Sequence, residues 1–272
     1  MRYSIKDLLK FHVQTVDNEK GSLRDLIFLD IDEQKWVVRY LPVHFGGWII
    51  RKDAVISPLA VNKIDRGVIH TSLTREQVES CPDIELEEPV SRKKEERFYD
   101  FFRWPYYWTG AGIWGIAPSP KGLLERPYAL PSTGAREEEK SEEEAKVSEG
   151  SLRTHLRSAA SMLKYSLEIE DKLYGLVMDC VLNTENWTVS HLVIERTKQV
   201  GESLAFLLPV SLISEIKWGE KSLVTHLNAA VLDACPLYQH DQSFSLEIEN
   251  QVFEYDHFFQ SILHDTSKVK KA

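Results

Sequence analysis

The sequence has few of the features that mark three common classes of protein. It holds 3 cysteines in 272 residues, too few for a disulfide framework. Its longest uncharged stretch, 104–120, is broken by prolines and glycines and is too short to cross a bilayer as a helix. Its net charge is −9, whereas nucleic-acid binding needs a basic patch. We therefore expect a cytoplasmic protein with no integral membrane segment and no nucleic-acid partner.

Motifs that carry known chemistry are lacking as well. The sequence has no phosphate-binding loop, no dinucleotide fingerprint and no zinc-protease or serine-hydrolase motif. Its 9 histidines are scattered, and those in predicted strands are His44, His70, His191 and His226. A pair of them could hold a metal, but isolated buried or surface histidines are commoner. We predict no catalytic residue, no metal site and no cofactor, and hence no enzyme.

What the chain does contain is an internal duplication, at an offset of about 154 residues. The segment VESCP at 78–82 returns as LDACP at 232–236. Trp36 returns as Trp187, slightly early, because the turn before it is shorter. Further matches relate Gly21, Leu23 and Asp25 to Gly175, Val177 and Asp179, residues 56–57 to 210–211, and residues 99–100 to 255–256.

Each copy has the pattern of short β-strands. Residues 26–30 and 36–43 are rich in β-branched and aromatic side chains and flank a polar turn, which predicts a hairpin. Residues 176–182 and 187–194 predict the same hairpin in the second copy, with a shorter turn. Several short strands within about 80 residues predict a small closed or nearly closed β-barrel in each copy.

One short helix is predicted near the end of each barrel. Thr74 can cap the start of a helix, and Gln77 completes a capping box. Pro82 stops this helix, because proline lacks the N–H that a continuing helix needs. Asn228 and Pro236 take the same roles in the second copy. The predicted fold class is therefore mainly β, with two tandem small barrels and short helical turns.

The composition changes sharply between the two copies. From about residue 132 to residue 150 the chain is dense in glutamate and carries one large apolar residue, Val147, so burial cannot offset the cost of ordering it. We predict an acidic, flexible linker here. The predicted boundaries are 1–115 for the first barrel, 116–150 for the linker (disordered and acidic from about 132), 151–265 for the second barrel and 266–272 for a basic tail.

Two kinds of polar residue recur at equivalent places in both copies. Cys81 and Cys235 each precede a proline, and they could form a redox or metal pair. No second ligand lies at metal-like spacing, so small buried residues at helix ends are the favoured interpretation. Asp25 and Asp179 could be catalytic carboxylates, but a residue at a strand start that bonds to backbone is the favoured interpretation.

A series of short motifs closely resembles the PRC-barrel family, which is named after the cytoplasmic part of the photosynthetic reaction-centre H subunit. In order along the chain, these motifs are WVVRYLPV at 36–43, GGW at 46–48, VISP at 55–58, LTREQV at 73–78, SCPDI at 80–84 and YDFFRWPYYW at 99–108. The second copy resembles the pattern more weakly, since it lacks GGW and WPYYW.

The resemblance implies a PRC-type barrel in each copy and a role in assembly. Barrels of this family are interaction modules with no shared catalytic motif. The H subunit also has a transmembrane helix, which this sequence does not match. An accessory protein related to the reaction centre is therefore an alternative rather than the leading interpretation.

The richest aromatic segment is 98–114, which we call the aromatic arm. It contains nine aromatic residues, each able to bury about 150–250 Å², so something must cover it. Either the arm wraps the first barrel or bridges the two barrels, or it forms a surface for a partner or for self-association. The predicted partner-binding residues are Arg103, Trp104, Tyr106, Tyr107, Trp108 and Trp114.

These patterns lead to one main functional hypothesis. We predict a non-enzymatic scaffold or adaptor that binds protein partners, of unknown identity, through the aromatic arm and the surface between the barrels. Two alternatives stay open. One is a small-ligand-binding protein or an enzyme that uses the cleft between the barrels, and the other is homodimerisation.

Overall fold

The fold was analysed in a computed structural model that describes residues 1–31, 35–46, 51–82, 84, 92–125, 156–196, 204–238 and 246–269. The predicted acidic part of the linker, most of the GGW motif and the last lysines of the predicted basic tail lie outside these residues. The prediction of a mainly β protein is confirmed, since strands make up more of the described chain than helices. We call residues 1–125 the first half and residues 156–269 the second half.

The first half contains eight strands and four helices among its described residues. The strands are β1 (Arg2–Ser4), β2 (His12–Gln14), β3 (Lys20–Leu23), β4 (Ile27–Ile31), β5 (Lys35–Gly46), β6 (Arg51–Ile56), β7 (Val61–Asp65) and β8 (Val68–Thr71). The helices are α1 (Ile5–Leu8), α2 (Arg75–Ser80), α3 (Arg92–Phe102) and α4 (Pro120–Leu124), with a 3₁₀ turn at Pro58–Ala60.

The second half follows nearly the same order of elements. Its described strands are β9 (Leu156–Ser158), β10 (Ser166–Ile169), β11 (Lys172–Asn183), β12 (Thr188–Arg196), β13 (Ala205–Pro209), β14 (Ile213–Lys217) and β15 (Ser222–Thr225). Its helices are α5 (Ala159–Met162), α6 (Ala229–Asp233) and α7 (Leu246–Val269), with a 3₁₀ turn at Val210–Leu212.

The local sequence signals are confirmed in several places. The predicted hairpins exist, as β4 pairs antiparallel with β5 and β11 with β12. The capping box at α2 has both of its hydrogen bonds, from the Gln77 N–H to the Thr74 hydroxyl and from the Thr74 N–H to the Gln77 side chain. Asn228 caps α6 with the first type of bond only, by accepting from the N–H of Val231.

The strands of both halves belong to one hydrogen-bonded sheet. Its main path runs β14-β15-β10-β11-β12-β5-β3-β2-β8-β7, and the other five described strands branch from it. The described strands form one large sheet that continues from one half into the other, so the two predicted tandem barrels are not plainly two closed barrels. The physical reason is that edge strands of one half find hydrogen-bond partners on the other.

Three strand pairs cross between the halves. The first strand of the chain, β1, pairs with β11 of the second half. The first strand of the second half, β9, pairs with β4 of the first half. In the middle, β5 and β12 pair through Val37 with Thr188 and Trp36 with Val189. The hydrophobic residues buried by these elements form a single core that draws on both halves.

The duplicated glycines are explained by close packing of neighbouring strands. A Cβ atom at Gly21 would lie 2.5 Å from Cγ1 of Val43, and one at Gly175 would lie 2.7 Å from Cγ2 of Ile194 and 2.6 Å from the carbonyl oxygen of Glu195. Real Cβ atoms do not come so close to other heavy atoms, so both positions need a residue without a side chain.

The ordered part of the first half continues beyond residue 115, into the segment that we assigned to the linker. Helix α4 begins at Pro120 after Ser119, whose hydroxyl accepts a hydrogen bond from the N–H of Gly122. Pro120 and Leu123 are buried, and α4 contacts the 3₁₀ turn at Pro58–Ala60. Within the described ranges, none of the helices combines the length and the apolar character that a membrane crossing requires.

Candidate functional site

Helix α3 attaches the aromatic arm to the sheet of the first half. Its buried residues are Glu95, Phe98 and Tyr99, which recur at the three- and four-residue spacing that places side chains on one face of a helix. Phe98 packs edge-to-face against Tyr40 of β5, with ring centroids 5.9 Å apart. Helix α3 was not predicted from the sequence, because the charged residues of its first turn and the buried Glu95 interrupt the apolar periodicity by which a helix is recognised.

The arm covers its own half of the molecule, and the six predicted partner-binding residues divide into three groups. Trp104, Tyr107 and Trp114 are buried. Tyr106 and Trp108 are half-buried and stack on each other with centroids 4.6 Å apart. Arg103 is exposed. A partner that bound the folded protein would therefore meet the last three residues and not the first three.

The end of the arm is a tight double turn that depends on glycine. Gly112 donates a hydrogen bond to the carbonyl of Gly115 at 2.6 Å, and Trp114 donates to that of Ala117 at 3.1 Å. Gly115 has φ +63°, in the left-handed region, and a Cβ there would lie 3.0 Å from the carbonyl of Thr109. Only glycine meets both demands without strain. The turn fixes Trp114 against the strands below.

A fully buried arginine lies beneath the arm. The guanidinium carbon of Arg39, on β5, lies 3.9 Å from the ring centroid of Tyr107 and 4.4 Å from that of Trp114. Its Nη2 donates to the carbonyl of Ile113 at 2.5 Å. Burial lowers the pKa of Arg39 from its usual value. Cation–π contacts offset part of the cost of burying the charge.

The negative charge of this cluster belongs to Glu95, whose side chain is fully buried. Its carboxylate accepts hydrogen bonds from the hydroxyl groups of Tyr40 at 2.5 Å and Tyr107 at 2.8 Å, and from Arg92 at 2.8 Å. Burial raises the pKa of Glu95, although Arg92 and the two tyrosines oppose the shift. The carboxylate thus joins β5, α3 and the arm at one point.

Arg92 connects the buried Glu95 to the half-buried Trp108. It is part-buried, and its guanidinium carbon lies 4.2 Å from the ring centroid of Trp108. Trp108 in turn packs edge-to-face on Tyr99, at 5.2 Å. The half-buried Tyr106–Trp108 stack is therefore held from below by a charged, hydrogen-bonded cluster.

The arm also reaches the other half of the chain. The indole Nε1 of Trp114 donates a hydrogen bond to the carbonyl of Asn186 at 2.7 Å. Asn186 lies in the turn between β11 and β12, next to the strand pairing of Val37 with Thr188. The arm thus packs on the first half and also contacts the second, as the structural interpretation of this segment expects.

Sequence reasoning missed Arg39, Glu95, Arg92 and Asn186. One signal was present, since Arg39 is a charged residue within the otherwise apolar strand sequence WVVRYLPV. A buried charge of this kind needs partners. Its partners Tyr107, Ile113 and Trp114 lie in the part of the aromatic arm that follows α3, with the hydrogen bond to Ile113 spanning 74 positions. The spacing of residues along the chain does not identify partners so far apart.

The position of Tyr40 is taken in the second half by His191, which is also buried. Its Nε2 lies 3.2 Å from Oδ1 of Asp256 on α7, and its Nδ1 lies 3.1 Å from the hydroxyl of Ser190. Each half thus joins a central strand to the following helix through a polar contact. His44 forms an exposed pair with Asp53 instead, at 2.7 Å.

The duplicated cysteines form neither a metal-like nor a redox-like grouping with other described residues. The described part of the chain holds no group of three histidine, cysteine or acidic residues that could bind a metal ion. Cys81 and Cys235 are buried at the ends of α2 and α6, as the favoured interpretation expects. Burial raises the pKa of Cys235 to about 12, so this thiol stays protonated and unreactive near neutral pH.

The duplicated aspartates both bond to backbone, as predicted, but only Asp25 lies just before a strand, whereas Asp179 lies inside β11. Oδ1 of Asp25 accepts from the N–H of Leu26, and Oδ1 of Asp179 accepts from that of Cys180, both at 2.7 Å. Each also accepts hydrogen bonds from the opposite half of the chain, which the sequence did not indicate.

Comparison with known proteins adds no family to this picture. No protein-family model matches the chain, and no curated protein is significantly similar to it.

Proposed function

We propose that this protein is a non-enzymatic interaction module that binds a protein partner through the exposed side of the aromatic arm. The contact residues are Arg103, Tyr106 and Trp108. Exposed Phe101 in the last turn of α3 and exposed Ile116 just after the arm extend this surface. We call these five residues the arm surface.

One observation carries the proposal. A stacked tyrosine–tryptophan pair stands half-exposed on a buried, hydrogen-bonded base, with Arg92 against one ring. Tryptophan, tyrosine and arginine dominate the binding energy of protein interfaces, and preorganised anchors lose little entropy on binding. In this proposal the buried network of Arg39 and Glu95 preorganises the pair, since it attaches the arm to β5 and α3.

We also propose that each half is built on a PRC-type barrel unit. The recurring order of strands and the position of the WVVRYLPV motif in β5 support this. In this proposal the second half serves as a structural support, because residues 255–264 of α7, which are equivalent to 99–108 of the first half, contain no tryptophan.

The test must use residues whose loss leaves the fold intact. Trp104 and Tyr107 are buried, so their replacement by alanine would damage the protein whether or not they bind a partner. Arg103→Glu combined with Trp108→Ala changes the arm surface instead. Phe253→Ala is the matched control, since Phe253 is an aromatic residue on α7 that is 72% exposed.

The experiment compares the proteins that each tagged form retains from a lysate of its natural source, after circular dichroism has established that all three forms are folded. We expect a partner that the unchanged protein and Phe253→Ala retain and that Arg103→Glu/Trp108→Ala loses. Identical retention by all three forms would exclude the arm surface as the binding site.

A further inference from the structure

The first strand and helix of each half lie on the opposite half. Strand β1 places Arg2, Tyr3 and Ser4 against Asn183, Leu182 and Val181. Strand β9 places Leu156, Arg157 and Ser158 against Leu29, Phe28 and Ile27. Both sets of positions differ by the offset of the duplication, so the two pairings are equivalent and the exchange is reciprocal.

The exchanged segments are fixed by equivalent carboxylates. Asp179 accepts hydrogen bonds from the Ser4 hydroxyl at 2.5 Å and from the Lys6 N–H at 3.1 Å. Asp25 accepts from the Ser158 hydroxyl and from the Ala160 N–H, the latter at 3.0 Å. This explains why an aspartate recurs at both positions, since each one holds the start of the helix that comes from the other half.

The apolar residues of the exchanged helices contribute to the shared core. Ile5 and Leu8 of α1 are buried, as are Ala159 and Met162 of α5. Helix α1 contacts β11 of the opposite half, and the N–H of Ala159 donates to the carbonyl of Leu26 at 2.9 Å. Neither half would bury these side chains on its own in the same way.

The centre of the contact has the geometry of a two-fold axis. Trp36 and Trp187 are equivalent, and so are the residues that follow them, Val37 and Thr188. Val37 pairs with Thr188 in the antiparallel contact between β5 and β12. When a residue of one half pairs with the equivalent residue of the other half, the pair lies on the two-fold axis that relates the halves. The same arrangement occurs at the centre of a two-fold symmetric dimer interface.

We propose that the two halves associate as the subunits of a dimer do, and that a half from a second copy of this chain fits the same surface. The described contacts that specify the pairing lie outside residues 126–155, which connect the halves. In the intact chain the connection gives a high effective concentration and favours pairing within one molecule. The inference does not rest on the arm surface, which takes no part in the strand exchange.

The experiment uses the full chain with a recognition sequence for a specific protease inserted between Lys140 and Ser141. After folding and purification the chain is cut, and size-exclusion chromatography measures the mass. We expect the halves to elute together at the mass of the uncut protein. Elution of the two halves as separate species would overturn the proposal, because the connection alone would then hold them.

A second step tests whether another copy can supply the missing half. Cut protein with an N-terminal tag is mixed with untagged, ¹⁵N-labelled cut protein, unfolded in urea and refolded. Capture through the tag should retain ¹⁴N and ¹⁵N second halves in equal amounts, by mass spectrometry. Retention of neither form would mean that the halves cannot pair without their connection, and would also overturn the proposal.

Matched variants separate this interface from the rest of the molecule. Asp25→Asn with Asp179→Asn should speed the exchange of halves by about tenfold or more, since each loses a charge-assisted cap. Asp53→Asn is the control, because Asp53 is 84% exposed and lies outside the interface. Equal rates of exchange in the double variant and in Asp53→Asn would show that the exchanged segments do not hold the halves together. Arg103→Glu/Trp108→Ala should exchange at the unchanged rate, so failure of the proposed function would be seen separately.

Discussion

The hydroxyl of Ser4 lies 2.5 Å from the carboxylate of Asp179, although the two residues are 175 positions apart in the chain. Ser4 caps the first helix of the first half, and Asp179 belongs to a central strand of the second half. Burial raises the pKa of Asp179, and the hydrogen bonds from Ser4 and Lys6 oppose the shift. The contact therefore couples the stability of one half to the other.

This coupling can be measured with a double-mutant cycle. We expect Ser4→Ala to lower the free energy of unfolding by about 1–2 kcal/mol, and its effect to shrink when Asp179 is already asparagine. The control combines Ser4→Ala with Asp25→Asn, which changes the other, distant cap and should give additive losses. Urea denaturation followed by tryptophan fluorescence gives all the values. If the losses in the free energy of unfolding caused by Ser4→Ala and Asp179→Asn were additive, the two side chains would not interact.

The buried carboxylate of Glu95 predicts a pH-dependent stability. Its pKa is raised in the folded protein, so the folded state binds the proton more tightly than the unfolded chain does. The resulting stabilisation is complete below the unfolded pKa and is lost as the pH rises through the folded pKa. The glutamine of Glu95→Gln cannot ionise, so that variant does not lose stability in this way as the pH rises.

The stability of the unchanged protein relative to Glu95→Gln should therefore fall as the pH rises above the ordinary pKa of a glutamate side chain. Thermal unfolding of both proteins over a series of pH values measures the difference. A difference that stays constant or grows with pH would show that Glu95 is not held in a desolvated site.

Position 175 should not tolerate a residue with a side chain. Gly175→Ala is expected to cost about 1–3 kcal/mol through overpacking, because the new Cβ would meet the backbone carbonyl of Glu195 as well as Ile194. Gly219→Ala is the control, since a Cβ there meets nothing within 4 Å, and its effect should stay within about 0.5 kcal/mol. Chemical denaturation distinguishes the two. Equal effects would mean that the strands do not approach as closely as the structure has them.

The buried arginine predicts a difference between two replacements. Arg39→Met keeps an unbranched side chain between Tyr107 and Trp114 and removes the desolvated charge, so we expect it to lie within about 1 kcal/mol of the unchanged protein. Arg39→Ala leaves a cavity and should cost about 2–4 kcal/mol. Urea midpoints provide the comparison. If methionine were as costly as alanine, the charge itself would be the stabilising feature.

Much of the local structure could be predicted from short sequence signals. The capping box at Thr74 and Gln77 and the hairpin of β4 and β5 depend on residues close together in the chain, and both were found. The burial of Cys81 and Cys235 followed from their place at helix ends.

The long-range arrangement could not be predicted in this way. Whether β1 pairs within its own half or across to β11 changes no local pattern, since the same side chains satisfy either pairing. Tyr107 and Trp114 are buried against Arg39, which lies far earlier in the sequence. The sequence identified the aromatic arm but not which of its faces is exposed.

The exchange of first strands is the central feature of the account, and a pair of cysteines tests it most directly. Arg2→Cys with Asn183→Cys places two thiols on directly opposite residues of β1 and β11, within the separation that a disulfide spans. Arg2→Cys with Leu29→Cys would place them opposite each other only if β1 paired within its own half. We expect rapid disulfide formation in the first pair and not in the second, on a non-reducing gel. The reverse result would contradict the exchanged arrangement and with it the proposed two-fold association of the halves.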